Sequence, residues 1–189
     1  MRKVIFVDGF YSFGIGGYMF KLFLKEKAEF LEFRYKSNGS KKIEILALEL
    51  NKFIKSLKLK KSEKIDLIGF SMGGLISSYY LKFIDTKKVR KFVTLCSPFD
   101  GTSWAKYFFG DRPGVIEMRP KSDFLNKLNK KRLKRVIQRD FYSQRDFIVP
   151  GRSGNSPDAI SREINFWCHP LAIFWSPVVK RITNFVLKD

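Results

Sequence analysis

Ser71 stands in the stretch Ile65–Leu81, IDLIGFSMGGLISSYYL, between a run with the composition of a buried strand and a run with that of a helix. Gly69 and Gly73 flank it at two residues on either side. A sharp strand-to-helix turn forces its apex residue into a strained backbone conformation, and Cβ atoms two positions away would collide. Such a turn exposes the serine Oγ. It also aims the N-terminus of the following helix, with the Met72 N–H, at a developing negative charge. This is the local equipment of a nucleophile; a tight turn that merely contains a serine is the structural alternative.

A serine hydroxyl is a weak nucleophile until a base takes its proton. His169 is the only histidine in the chain. An imidazole in that role needs a carboxylate to fix its tautomer and stabilise its cation, and Asp146, in YSQRDFIVPG, is placed to supply one. Read singly, a core histidine and a turn aspartate explain these residues as well. Read together, Ser71, Asp146 and His169 each fall just past a predicted strand, in the chain order Ser, Asp, His.

The elements that would position them alternate. Strands are predicted at Lys3–Asp8, Phe30–Tyr35, Lys64–Phe70, Val89–Cys96 and Arg139–Gln144, with a short last one at Arg162–Trp167. Helices are predicted at Tyr18–Ala28, at Lys41–Leu57 with Ile45, Leu48 and Phe53 on its apolar side, after Ser71, at Ser122–Ile137 behind an N-cap, and at Ser176–Leu187 with Ser176 as cap. A loop-rich piece runs from Ser97 to Pro120. Strands separated by helix-length crossovers form a parallel sheet with helices on both faces, and ligands collect at the carboxyl ends of its strands. The expected fold is α/β, about six mostly parallel strands in a single domain over 1–189, with no large cap and a short rim or lid segment at 99–120.

Residues from end to end resemble the α/β-hydrolase family, most of all its small bacterial triacylglycerol lipase and esterase group. VIFVDGF is similar to the family's first strand, which ends in His-Gly; GFSMGG is similar to its nucleophile elbow. FVTLCSPFDGT, MRPKSDFLNKLN, YSQRDFIVPGRS and CHPLAIF resemble four further segments, the last two being the acid and histidine loops. The resemblance implies ester hydrolysis by Ser71, His169 and Asp146, with thioesters or acyl transfer within reach of the same chemistry and no cofactor. It also implies the Phe10 N–H, beside the Met72 N–H, as second oxyanion donor. Asp8 stands where the family usually has histidine, and a carboxylate there costs transition-state stabilisation unless it points away or is paired. Phe99 and Asp100 replace a usual His-Arg pair.

The charge raises a competing reading. Lys and Arg number 37 against 18 Asp and Glu, a formal +19. Such an excess favours phosphate-bearing partners, although a codon bias toward A/T, which enriches Lys and Phe, produces it too. The alternative function is therefore a basic nucleic-acid- or anionic-membrane-binding protein on a hydrolase scaffold with weak or no catalysis; the sequence carries no recognisable nucleic-acid module, which disfavours nucleic acid as the partner. SWAKYFFG (103–110) reads as an acyl-pocket wall or interfacial lid. If its aromatics share a surface with the basic helix 122–137, peripheral docking on an anionic bilayer follows. GIGGYM (14–19) falls short of a dinucleotide fingerprint and reads as a pocket rim. Cys96, Cys168 and one histidine provide neither a disulfide framework nor zinc-type spacing. No run approaches the ~20 apolar residues of a membrane span, and the apolar start is too short for an export signal. A cytoplasmic protein is expected, of unspecified oligomeric state.

Overall fold

The structure, a computed structural model, describes residues 1–12, 14–36 and 38–188. Six strands, β1 (Lys3–Val7), β2 (Glu29–Phe33), β3 (Ile65–Phe70), β4 (Val89–Leu95), β5 (Ile137–Tyr142) and β6 (Ile160–Glu163), form one sheet in the order β2-β1-β3-β4-β5-β6. Every pairing is parallel. From β1 the chain crosses outward to β2, then back over β1 to β3. The sheet thus switches direction between β1 and β3, and the loops leaving those two strands part to leave a crevice.

Both faces of the sheet are covered, as its alternation requires. Ile5 and Val7 of β1 and Leu67 of β3 point to one side, into a core shared with α2 (Ile43–Ser56) and α3 (Met72–Tyr79). Val4 and Phe6 of β1 and Ile68 and Phe70 of β3 point to the other, against α1 (Tyr18–Leu24) and α7 (Ser176–Leu187). Strands buried on both faces have no polar side to show, which is why they read as continuous apolar runs. Three shorter helices, α4 (Ser103–Tyr107), α5 (Pro113–Glu117) and α6 (Asp123–Lys130), lie between β4 and β5.

Several boundaries differ from the sequence expectation. The predicted helix 122–137 stops at Lys130, although Ser122 does cap it, its side chain accepting from Leu125 N. Phe124, Leu125 and Leu128 form its buried stripe, and the next turn of that stripe falls on the exposed Lys131 and Arg132. With nothing apolar to bury, the chain turns away. Leu133 N donates to Asp158 Oδ1 instead, and β5 begins at Ile137, two residues earlier than expected. The last strand is Ile160–Glu163, not 162–167, and lies at the exposed sheet edge. In α2, Ile45 and Leu48 face solvent, while Ile43, Leu46, Ala47, Leu50 and Ile54 are buried. The α7 cap is Trp175, so Ser176 is its first helical residue. The piece 97–120 is loop-rich as expected but carries two short helices, α4 and α5, with Thr102 capping α4 through Trp104 N.

One buried carboxylate makes stability depend on pH. Asp140 on β5 accepts from Thr94 Oγ1 at 2.7 Å, Gln138 Nε2 at 2.9 Å and Ser156 N at 2.7 Å. Burial nevertheless outweighs those bonds and pushes its carboxyl up to about 6, from 3.8. The folded state therefore holds this proton more tightly than the unfolded chain. Its contribution to stability is complete below 3.8 and is lost as pH rises through about 6. Urea unfolding of the wild type and Asp140→Asn across that range should show the wild type losing stability relative to the variant, then levelling off. A pH-independent difference would contradict the assignment.

Candidate active site

Ser71 follows β3 directly and precedes α3, with φ 51° and ψ −121°. A non-glycine residue pays about 1–3 kcal/mol for such a backbone, so its neighbours must hold it there. Two glycines let them come close enough. A Cβ on Gly69 would lie 2.6 Å from Gly74 Cα, and one on Gly73 would lie 2.0 Å from the Val7 carbonyl oxygen. Ser71 N donates to Leu95 O at 2.9 Å, pinning the turn to β4. The result is a serine 8% exposed, its side chain facing the crevice.

The loops after β5 and β6 bring the other two predicted residues to it. His169 Nε2 lies 3.0 Å from Ser71 Oγ, and its Nδ1 lies 2.6 Å from Asp146 Oδ2. Asp146 Oδ1 accepts from Ile148 N at 2.9 Å and Val149 N at 3.0 Å, which fixes the carboxylate at the head of a tight turn. All three residues are buried. The His169 ring packs on Phe70 with centroids 5.1 Å apart, which restricts its rotation. With Nδ1–H directed at Asp146, Nε2 is left as an acceptor for the serine proton. Cys96, at φ 49° just after β4, stands beside this chain. Its sulfur, an Asp146 oxygen and a His169 nitrogen lie within 4.8 Å of one another, among the described residues the one cluster that could share a cation. Burial pushes the Cys96 thiol well up. The cluster comes from three separate loops, so no sequence spacing announces it.

The two amides named as oxyanion donors flank the crevice. Met72 N opens α3, where an N–H has no partner in its own helix. Phe10 follows β1 and lines the same cavity as Ser71. Asp8 is absent from that lining. Its Oδ1 accepts from Gly9 N at 2.9 Å and its Oδ2 from Gly16 N at 3.3 Å, so the carboxylate faces into its own loop. Tyr35 OH donates to the Asp8 carbonyl at 2.7 Å from the far side. Burial pushes the Asp8 carboxyl up, while the amide bonds pull the other way. The departure from histidine thus leaves a brace for the loop that carries Phe10 rather than a charge beside the cavity.

The cavity over Ser71 has a volume of about 450 Å³ and walls that are mostly apolar: Phe10, Tyr11, Ile15, Phe70, Phe109, Ile148, Leu171, Ile173 and Phe174. Of the SWAKYFFG aromatics only Phe109 reaches it, its ring tilted 34° against that of Phe10 with centroids 4.8 Å apart. Trp104 supports Phe109 and Phe147 from behind, and Tyr107 and Phe108 are exposed at the C-terminal end of α4. GIGGYM contributes Ile15 to the rim. Sequence reading did not name Tyr11, Ile148, Leu171, Ile173 or Phe174. Their signal was present all the same, as apolar residues within a few positions of Gly9, Asp146 and His169.

Residues 43–167 match the family described as alpha/beta hydrolase fold. The chain belongs to that family. The match spans Ser71 and Asp146 and stops two residues short of His169, so the histidine's place is given by geometry. Among solved structures, this α/β hydrolase is similar to Aspergillus fumigatus lipase B, at TM-score 0.79 and 16% identity over 95% of this chain and 50% of that one. It is also similar to phospholipase PlaB from Legionella pneumophila (TM-score 0.80, 13% identity, 100% and 60% covered). A third is bromoperoxidase from Bacillus anthracis (0.76, 16%, 100% and 92%). The chain thus spans half the length of the Aspergillus lipase. At such identities the likeness is one of fold. No curated protein matches the chain in sequence.

Proposed function

We propose that this α/β hydrolase is a serine hydrolase that cleaves carboxylic esters with an apolar acyl group. The observation that carries the reading is the unbroken chain from Asp146 through His169 to Ser71, 2.6 Å and 3.0 Å long in its two links, opening on an apolar cavity. A lipase and a phospholipase among its structural relatives support an ester substrate.

In this reaction Ser71 Oγ attacks the ester carbonyl as its proton passes to His169 Nε2. Asp146 keeps the other ring nitrogen protonated and offsets the imidazolium charge. The carbonyl oxygen takes the negative charge and is held by the Met72 and Phe10 amides. The alcohol leaves with the proton from Nε2, giving an acyl-serine. Water then repeats the sequence, releasing the acid and restoring Ser71. No metal or organic cofactor takes part. Phe109, within the segment 99–120, serves as a wall for the acyl chain. The exposed Tyr107 and Phe108, just before Phe109 in the chain, favour substrates presented at a lipid surface. Among the described residues, no helix is long and apolar enough to cross a membrane.

A fluorophosphonate probe should label the protein at Ser71, and a panel of nitrophenyl esters should report the acyl preference. Each methylene buried is worth about 0.8 kcal/mol, so kcat/KM should rise about fourfold per added carbon until the cavity is full. Phe109→Ala should cost more on long acyl chains than on acetate. Labelling without any chain-length dependence would rule out the acyl-pocket assignment and leave the nucleophile standing.

A further inference from the structure

The aromatics and the cations that the sequence suggested could share a surface lie at opposite ends of the sheet. Trp104 to Phe109 follow β4 at the carboxyl edge, where Phe109 lines the cavity over Ser71. Lys131 to Arg135 precede β5 and lie at the amino edge. Strands of five to seven residues separate the two by about 20 Å, twice the screening length at physiological salt. Cations at the amino edge therefore add little to a surface docked on the mouth.

That edge concentrates the charge of the molecule. The four connections that bring helices back to β2, β3, β4 and β5 (25–28, 57–64, 85–88 and 131–136) carry twelve Lys and Arg against three Asp and Glu. Eleven of the twelve are exposed. A groove of about 620 Å³ runs between two of these connections, with Lys87 on one wall and Lys131, Arg132, Lys134 and Arg135 on the other. Two carboxylates lie near it. Asp158 is buried and taken by Lys82 and Arg132, and Asp85 accepts from the Lys87 backbone N–H. Among the described residues, the Lys87, Lys134 and Arg135 side chains have no carboxylate at ion-pair distance. The connections are also held in place: Lys88 Nζ donates to the Lys60 and Lys61 carbonyls, and Lys64 Nζ to that of Lys87. The wall that carries Lys87 is therefore fixed, and the cations of 131–135 face it across the groove.

We propose that this groove docks the phosphate backbone of a nucleic acid, independently of base sequence. Cations on both walls match a linear array of phosphates, and neutralising them releases condensed counterions. Among the described residues no exposed aromatic lies in the groove to stack on a base or to anchor in a bilayer; Phe83 is half-buried under Lys131. Contacts of this kind fix position and carry no sequence information. The surface is distinct from the crevice over Ser71, and the inference stands whether or not Ser71 is a nucleophile.

The test is fluorescence anisotropy with a labelled mixed-sequence DNA duplex over a salt series, comparing the wild type with Lys87→Gln/Lys134→Gln/Arg135→Gln. The wild type should bind with log Kd rising linearly with log salt. The triple variant should bind at least about tenfold more weakly, with the slope reduced by about three, one per lost phosphate contact. These exposed side chains should leave the melting temperature unchanged. An unrelated duplex should compete equally well. A triple variant that keeps the wild-type affinity and slope overturns the proposal. So does a wild type that ignores the duplex, whether it binds phosphatidylserine vesicles in its place or binds neither.

Discussion

Ser71→Ala is expected to reduce ester hydrolysis by at least about a thousandfold while the protein stays folded. Among the described residues the hydroxyl is the only group that hydrogen-bonds to His169 Nε2, at 3.0 Å, and its replacement removes few packing contacts. The same change should abolish fluorophosphonate labelling. His169→Ala should cost about as much, and the double variant Ser71→Ala/His169→Ala no more than either alone. Base and nucleophile act as one unit, and removing one makes the other idle. Residual turnover in each should reflect the amide donors and binding alone. Circular dichroism and the unfolding midpoint separate loss of chemistry from loss of fold. Near-wild-type turnover in Ser71→Ala, or costs of the two single variants that add in the double, would refute the proposed mechanism.

The largest effect on stability is expected from Lys82→Met. Lys82 lies on the π-turn Tyr80–Ile84 that continues α3, with a side chain 0% exposed. Its Nζ is 2.6 Å from Asp158 Oδ2, a charge contact rather than an aligned hydrogen bond, and donates to Leu128 O at 3.0 Å. Burial pulls the ammonium's pKa down, and the neighbouring carboxylate pushes it back. Without the lysine, Asp158 keeps the Leu133 N–H and, as its one charged partner among the described residues, the more distant Arg132, at 3.8 Å on the exposed side. An uncompensated buried carboxylate costs about 3–5 kcal/mol, readable as a lower urea midpoint at unchanged slope. Adding Asp158→Asn should recover most of the loss, because the charge that lacked a partner is gone. A single variant within about 1 kcal/mol of wild type would mean that the pair does not hold the connection to β5.

That pair also marks a limit of what the sequence discloses. The reach of helix 122–137 looked unbroken because Lys and Arg are good helix formers with no face to violate. The helix ends where its buried stripe runs out and a carboxylate 25 residues further on offers Leu133 N another acceptor. The exposed Ile45 and Leu48 misled in the opposite way. Periodicity counts apolar residues, and only packing decides which stripe faces the sheet.

The sequence by itself determined the parallel α/β architecture, because doubly buried strands and crossover helices leave different periodicities in the chain. It also singled out Ser71, Asp146 and His169, which the fold brings within hydrogen-bond distance of one another in turn. A G-x-S-x-G turn, an aspartate before Ile148 and Val149, and a lone histidine are each local and each follow a strand, and the sheet topology does the rest. Only the tertiary structure decided which way Asp8 points, which aromatics reach the cavity, and that the basic connections gather at the edge opposite the serine. These depend on loops distant in sequence meeting in space, and on the direction of each side chain where they meet, which no spacing along the chain encodes.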